Sequence, residues 1–156
     1  MNHSDLSLRR GRMFASKSAG MFSGRESEGL VLVVDDEPDV RKVVRMTLEK
    51  AGYDVVEAED GEKAIEETKK GEHSILLNLI ITDIRMPNRN GIDVINYYRK
   101  EWPSVPVIVL TGFPDLDMAI AMLQHGVVDY LVKPVEAEKL RASVAQTLEQ
   151  RQVCGF

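Results

Sequence analysis

The chain is poor in the residues that staple or decorate small secreted proteins. It has one cysteine among 156 residues, Cys154, so an internal disulfide and a cysteine metal motif are both excluded. A reducing, cytoplasmic setting is expected, with Cys154 a free thiol near the terminus. Histidine occurs three times, and His73 has no local His or Cys companion, which makes it a loop residue rather than a ligand. No uncharged apolar run is long enough for a membrane span, and the N-terminus has no apolar segment of the secretory type. Aromatic residues make up only 6%, so the core has to be built from aliphatic side chains.

Charge is unevenly spread. Residues 1–29 hold five basic side chains against three acidic ones, so the net −5 of the whole chain becomes −7 over residues 30–156. An acidic body argues against direct nucleic-acid binding by the folded part. Residues 1–29, rich in Ser, Gly and Arg and without sustained periodicity, are expected to be a flexible extension or leader. The pairs Met13-Phe14 and Met21-Phe22 are weak anchor candidates, undercut by neighbouring glycines.

From Leu30 the sequence becomes regular. Leu30 to Val34 reads as a buried strand, and Pro38 suits the first turn of a helix that runs to about Lys50, with Val40, Val43, Val44 and Leu48 recurring at helical spacing. Gly52 ends it. A strand over Tyr53–Glu57 and a helix carrying Ala64, Ile65 and Thr68 follow, with the helix ending near Gly71. The third strand is placed at 78–82. A helix over Gly91–Glu101 follows, with Val94, Ile95 and Tyr98 inward; Trp102, just past it, reads as packing. A strand at Val107–Leu110, a helix from Pro114 to His125, a strand from Val127 to Val132 and a helix from about Glu136 to Gln150 complete five strand–helix units. Met118 and Met122 fall at helical spacing and read as core filler. Strands apolar on both faces are central parallel strands covered by helices. The expected fold is a three-layer α/β sandwich. Right-handed crossovers bring all strand C-termini to one edge, where ligands of open parallel sheets bind.

That edge is chemically loaded. The first strand ends at Asp35 and Asp36, the third at Asp83, the fourth at Thr111 and the fifth at Lys133. Singly, each has a bland role: Asp35 or Asp36 as a helix cap, Asp83 as a turn residue, Thr111 satisfying backbone groups before Pro114, Lys133 solvated. Together they place three carboxylates, a hydroxyl and an ammonium side by side. Clustered carboxylates repel, and a hard cation such as Mg²⁺ resolves the repulsion while keeping positions open for phosphate oxygens. Asp83, on the central strand, is the best candidate for a nucleophile that attacks phosphorus. The metal and Lys133 would stabilise charge on the transferring group.

The segments "VLVVDDEPDVR", "LIITDIRMPNRNG", "VIVLTG" and "DYLVKP", in this order over residues 30–150, closely resemble the receiver domain of two-component response regulators. The resemblance implies a flavodoxin-like (βα)5 sandwich with strand order 2-1-3-4-5. It implies that Asp83 accepts a phosphoryl group from a sensor histidine kinase or a histidine phosphotransfer protein. Asp36 would ligate Mg²⁺ (or Mn²⁺) directly, Asp35 through water, and the backbone carbonyl of Arg85 would complete the set. Thr111 would be the switch hydroxyl, Tyr130 the switch aromatic and Lys133 the phosphate contact, with a cis Lys133-Pro134 peptide. Phosphorylation would alter the helix 4–strand 5–helix 5 face, which would bind a downstream protein or an output domain absent from this sequence; residues 151–156 would be a tail. The stretch from Asp36 to Asp83 is a few residues long for the family, the excess falling around 71–77. One alternative is an aspartyl-nucleophile phosphatase, which would need an acid where Arg85 stands. The other is a phosphorylation-independent scaffold. The receiver reading makes the domain no conventional enzyme: its chemistry is self-phosphorylation and slow autodephosphorylation.

Overall fold

A computed structural model describes residues 26–71, 76–84 and 91–153. Five strands alternate with five helices: β1 Leu30–Val34, α1 Pro38–Lys50, β2 Asp54–Ala58, α2 Gly61–Lys69, β3 Leu77–Thr82, α3 Gly91–Glu101, β4 Val107–Thr111, α4 Leu116–Gln124, β5 Asp129–Val132 and α5 Ala137–Val153. The strands form one parallel sheet in the order β2-β1-β3-β4-β5. This is the expected flavodoxin-like (βα)5 arrangement.

Side chains on a strand alternate between faces, and the two faces bury separate aliphatic layers. Leu30, Leu32, Val34, Ile80, Val107 and Val109 pack with Ala64, Val94, Ile95, Tyr98 and Met122, so α2, α3 and α4 cover this side. Val31, Val33, Leu79, Ile81, Ile108 and Leu110 pack with Val44, Leu48, Leu140 and Val144 of α1 and α5 on the other. The central strands are therefore dry on both faces, which holds their C-terminal ends rigidly in register.

One irregularity interrupts the pairing of β1 with β3. Leu77 and Leu79 are two residues apart yet belong to opposite layers. Leu30 pairs with Leu77 but Val31 pairs with Leu79, so Asn78 is an inserted residue in β3, a bulge of the kind that locally disrupts a ladder. Its side-chain Oδ1 accepts the Leu30 N–H at 2.8 Å and replaces a ladder bond. Gly29, at φ +151°, leaves room for it: a Cβ there would lie 3.2 Å from that oxygen. His73 and residues 1–25 lie outside the described residues.

Several boundaries differ from expectation. Val43 is 60% exposed, because Val44, Thr47 and Leu48 already define the buried face of α1 and Val43 lies 100° round from Val44. β2 begins at Asp54 and runs on through Ala58, and β3 begins at Leu77. β4 runs on through Thr111, and β5 begins only at Asp129, with Val127 buried ahead of it. α4 starts at Leu116, where the Asp115 side chain accepts the Asp117 N–H, not at Pro114. α2 ends at Lys69, and α5 continues to Val153.

Candidate functional site

Neighbouring strands end level with one another. Asp83 N–H donates to the Val34 carbonyl at 2.9 Å, Asp35 N–H to Ala58 at 3.1 Å, and Lys133 N–H to Thr111 at 2.8 Å. The last ladder bonds of the sheet thus set Asp35, Asp83, Thr111 and Lys133 on one edge. Asp35 and Asp83 are buried, at 2% and 4% exposure.

Burial of two carboxylates needs compensation, and Lys133 supplies it. Its Nζ lies 2.6 Å from Asp35 Oδ2 and 2.8 Å from Asp83 Oδ2. A third acid, Glu37, approaches the same ammonium at 3.2 Å from the exposed rim. The remaining oxygens of the buried acids accept backbone donors: Asp35 Oδ1 from Glu37 N–H at 2.9 Å, Asp83 Oδ1 from Ile84 N–H at 2.6 Å. Desolvation raises the Asp35 pKa above its ordinary 3.8, and repulsion from Asp83 adds to it; the hydrogen bonds from Lys133 and Glu37 N–H oppose the rise without cancelling it. Burial acts to lower the Lys133 pKa, but its bonds to Asp35 and Asp83 outweigh that and hold the ammonium well above the ordinary lysine value.

Asp35, Asp36, Glu37 and Asp83 each offer a carboxylate oxygen, and these oxygens lie within 4.8 Å of one another. An all-oxygen, multiply anionic donor set fits a hard divalent cation. Four carboxylates face one ammonium, so the cluster carries a net negative charge that such a cation would neutralise.

Thr111 is buried, and its hydroxyl accepts the Phe113 N–H at 3.2 Å; here it serves the loop, as the bland reading had it. Tyr130 is half-buried against the layer containing Met122, and its hydroxyl is enclosed with no hydrogen-bond partner among the described residues. Lys133-Pro134 is cis. Arg85 lies outside the described residues. Sequence reasoning did not single out Glu37. It also missed Arg41, whose Nη1 donates to the Asp35 carbonyl at 2.6 Å. The signal for both was their short distance from Asp36, one residue and five residues.

The fold and this edge define a class of phosphoryl-accepting signalling modules. The response regulator receiver domain family matches residues 31–145, and the chain belongs to that family. It is 36% identical over 120 residues to the response regulator protein PilR of Pseudomonas aeruginosa, covering 77% of this chain and 26% of that protein. It is 38% identical over 120 residues to a probable transcriptional regulator, ycf27, of Porphyridium aerugineum, covering 77% and 48%. Among solved structures, a response regulator receiver protein from Pseudomonas putida matches with TM-score 0.70 and 35% identity, covering 77% of this chain and 98% of that one. The response regulator TrrA of Thermotoga maritima, solved with Mg²⁺ and BeF, matches with TM-score 0.68 and 30% identity, covering 77% and 99%. The chain spans about a quarter to a half of the length of the curated relatives named here.

Family membership and the acidic cluster together establish phosphoaspartate chemistry as the work of this edge. The domain's chemistry is its own phosphorylation and dephosphorylation, not turnover of a substrate. Among the described residues, no helix is long and apolar enough to cross a membrane.

Proposed function

We propose that Asp83 is the phosphoacceptor and that this domain takes a phosphoryl group from a phosphohistidine of a sensor kinase or phosphotransfer protein. The observation that carries the reading is the bridge of Lys133 between Asp83 and Asp35 inside a four-carboxylate cluster. An Asp83 carboxylate oxygen attacks phosphorus. The P–N bond to the donor imidazole breaks, and the imidazole nitrogen keeps the electron pair and takes up a proton. The product is an acyl phosphate. A bound Mg²⁺ (or Mn²⁺), held by Asp35, Asp36 and Asp83 and by the Arg85 carbonyl, would supply positive charge opposite the phosphoryl oxygens. The structure of TrrA with Mg²⁺ and BeF supports that choice of ion by analogy.

Lys133 has the reach for the next step. Its ammonium already contacts the acceptor carboxylate, and a short shift moves it onto a phosphoryl oxygen. Thr111 can exchange its bond with Phe113 N–H for donation to a second phosphoryl oxygen, and Tyr130, on the neighbouring strand, is the second half of a two-state switch. The readout surface lies close by. Leu116, Ile120 and Leu123 are exposed on one side of α4, and Phe113 and Val132 are exposed near it. This apolar stripe supports docking of a downstream protein or a linked output module to the α4–β5–α5 side.

The test is incubation with phosphoramidate and Mg²⁺ followed by intact mass. Uptake of one phosphoryl group, lost with Asp83→Asn and with chelation, is expected. Retention of a base-labile phosphoryl group by Asp83→Asn would reject the assignment.

A further inference from the structure

The carboxylate of Asp36 faces solvent, and no hydrogen bond to it is present among the described residues. The backbone sets the direction of its Cα–Cβ bond, from which the carboxylate extends. The peptide joining Asp35 to Asp36 is planar, so whatever holds the Asp35 carbonyl also fixes the plane from which Asp36 departs. That holder is Arg41. Its Nη1 donates to the Asp35 carbonyl at 2.6 Å, and its Nε lies 3.4 Å from Glu57 Oε1 at the end of β2. Glu57 is in turn held by Arg45 Nη1 at 2.6 Å. Arg41 is thus clamped between the sheet edge and the β1–α1 loop. A rigid fork of donors suits this double task in a way a single ammonium does not.

We infer that Arg41, anchored by Glu57, is a positioning residue that aims Asp36 at the divalent cation. The inference rests on the reading of Asp35, Asp36 and Asp83 as the cation site.

Charge and geometry predict opposite signs, which makes the idea testable. Arg41 is a cation next to a cation site. Judged by charge alone, Arg41→Ala should bind Mg²⁺ more tightly. If Arg41 aims Asp36, the same change should weaken Mg²⁺ binding, by about tenfold on the scale of outer contacts to metal ligands. Arg45→Ala is the matched control: it removes the same charge and also a partner of Glu57, but Arg45 forms ion pairs with Glu57 and Glu49 and does not reach the Asp35 carbonyl.

Mg²⁺ affinity of the whole chain would be read by titration calorimetry for wild type, Arg41→Ala, Arg45→Ala and Asp36→Asn. Phosphorylation by phosphoramidate would be followed as a function of Mg²⁺. The inference expects weaker binding in Arg41→Ala only among the two arginine variants, and recovery of its phosphorylation rate at saturating Mg²⁺. General loss of structure would not be rescued in that way. Equal or tighter binding by Arg41→Ala overturns the role of Arg41 while leaving the cation site standing. Unchanged binding in Asp36→Asn, or no Mg²⁺ binding by wild type, overturns the cation reading itself and this inference with it.

Discussion

Replacing Lys133 with Met removes the ammonium and keeps most of the apolar stem. Two carboxylates at 2% and 4% exposure then face each other with Asp36 and Glu37 nearby and no ammonium between them. Breaking a buried ion pair by deleting one partner costs about 3–5 kcal/mol. The lower end applies here, since Asp35 and Asp83 each keep a backbone donor, from Glu37 and Ile84. With an unfolding entropy of roughly 2.1 cal/mol/K per residue, a domain of about 120 residues loses roughly 12 °C in Tm for 3 kcal/mol. Urea unfolding in EDTA should show a lower midpoint at unchanged slope. Mg²⁺ should then narrow the gap between variant and wild type. The variant has no ammonium competing for Asp35 and Asp83, and each tenfold gain in affinity adds about 1.4 kcal/mol of linkage stabilisation. A variant as stable as wild type in EDTA, or a gap that widens with Mg²⁺, would refute the view that Lys133 is the counter-ion of this cluster.

Asp35 should leave a pH signature in metal-free buffer. Its folded pKa is raised above 3.8, so in that window the folded state binds more protons than the unfolded one. The contribution is present below 3.8 and is lost as pH rises through the folded value. The stability advantage of Asp35→Asn over wild type should therefore shrink as pH falls from neutral, as measured by thermal melts; an advantage that grows on acidification would contradict it. Tyr98→Phe removes the buried bond from its hydroxyl to the Ala64 carbonyl, 2.8 Å, and should cost about 1–3 kcal/mol in urea unfolding. Gly126 sits at φ +88° with Arg99 Nε 2.8 Å from where a Cβ would be. Gly126→Ala should destabilise by about 1–2 kcal/mol from the backbone alone, measured the same way, even if Arg99 swings clear.

Much of this molecule was legible in one dimension. Period and punctuation determined the five strand–helix units: runs such as Val107 to Leu110, bounded by Pro106 and Gly112, read as buried strands, and Gly52 and Gly126 mark turns at positive φ. The polar residues Asp35, Asp83, Thr111 and Lys133 stood out because each interrupts or follows an apolar run, and a parallel sheet brings such ends together. Other features were decided only in three dimensions. Val43 fits an apolar helical pattern as well as Val44 does, and only the sheet beneath α1 chooses between them. The bulge at Asn78 is invisible in a run of β-formers, since register depends on the facing strand. Lys133 lies 96 residues from Glu37 and 50 from Asp83, and Arg41 reaches back to a carbonyl six residues earlier while bracing on β2. Long flexible side chains choose partners by distance after the strands have stacked. Local sequence determined which groups arrive at the sheet edge, and tertiary packing decided which of them touch.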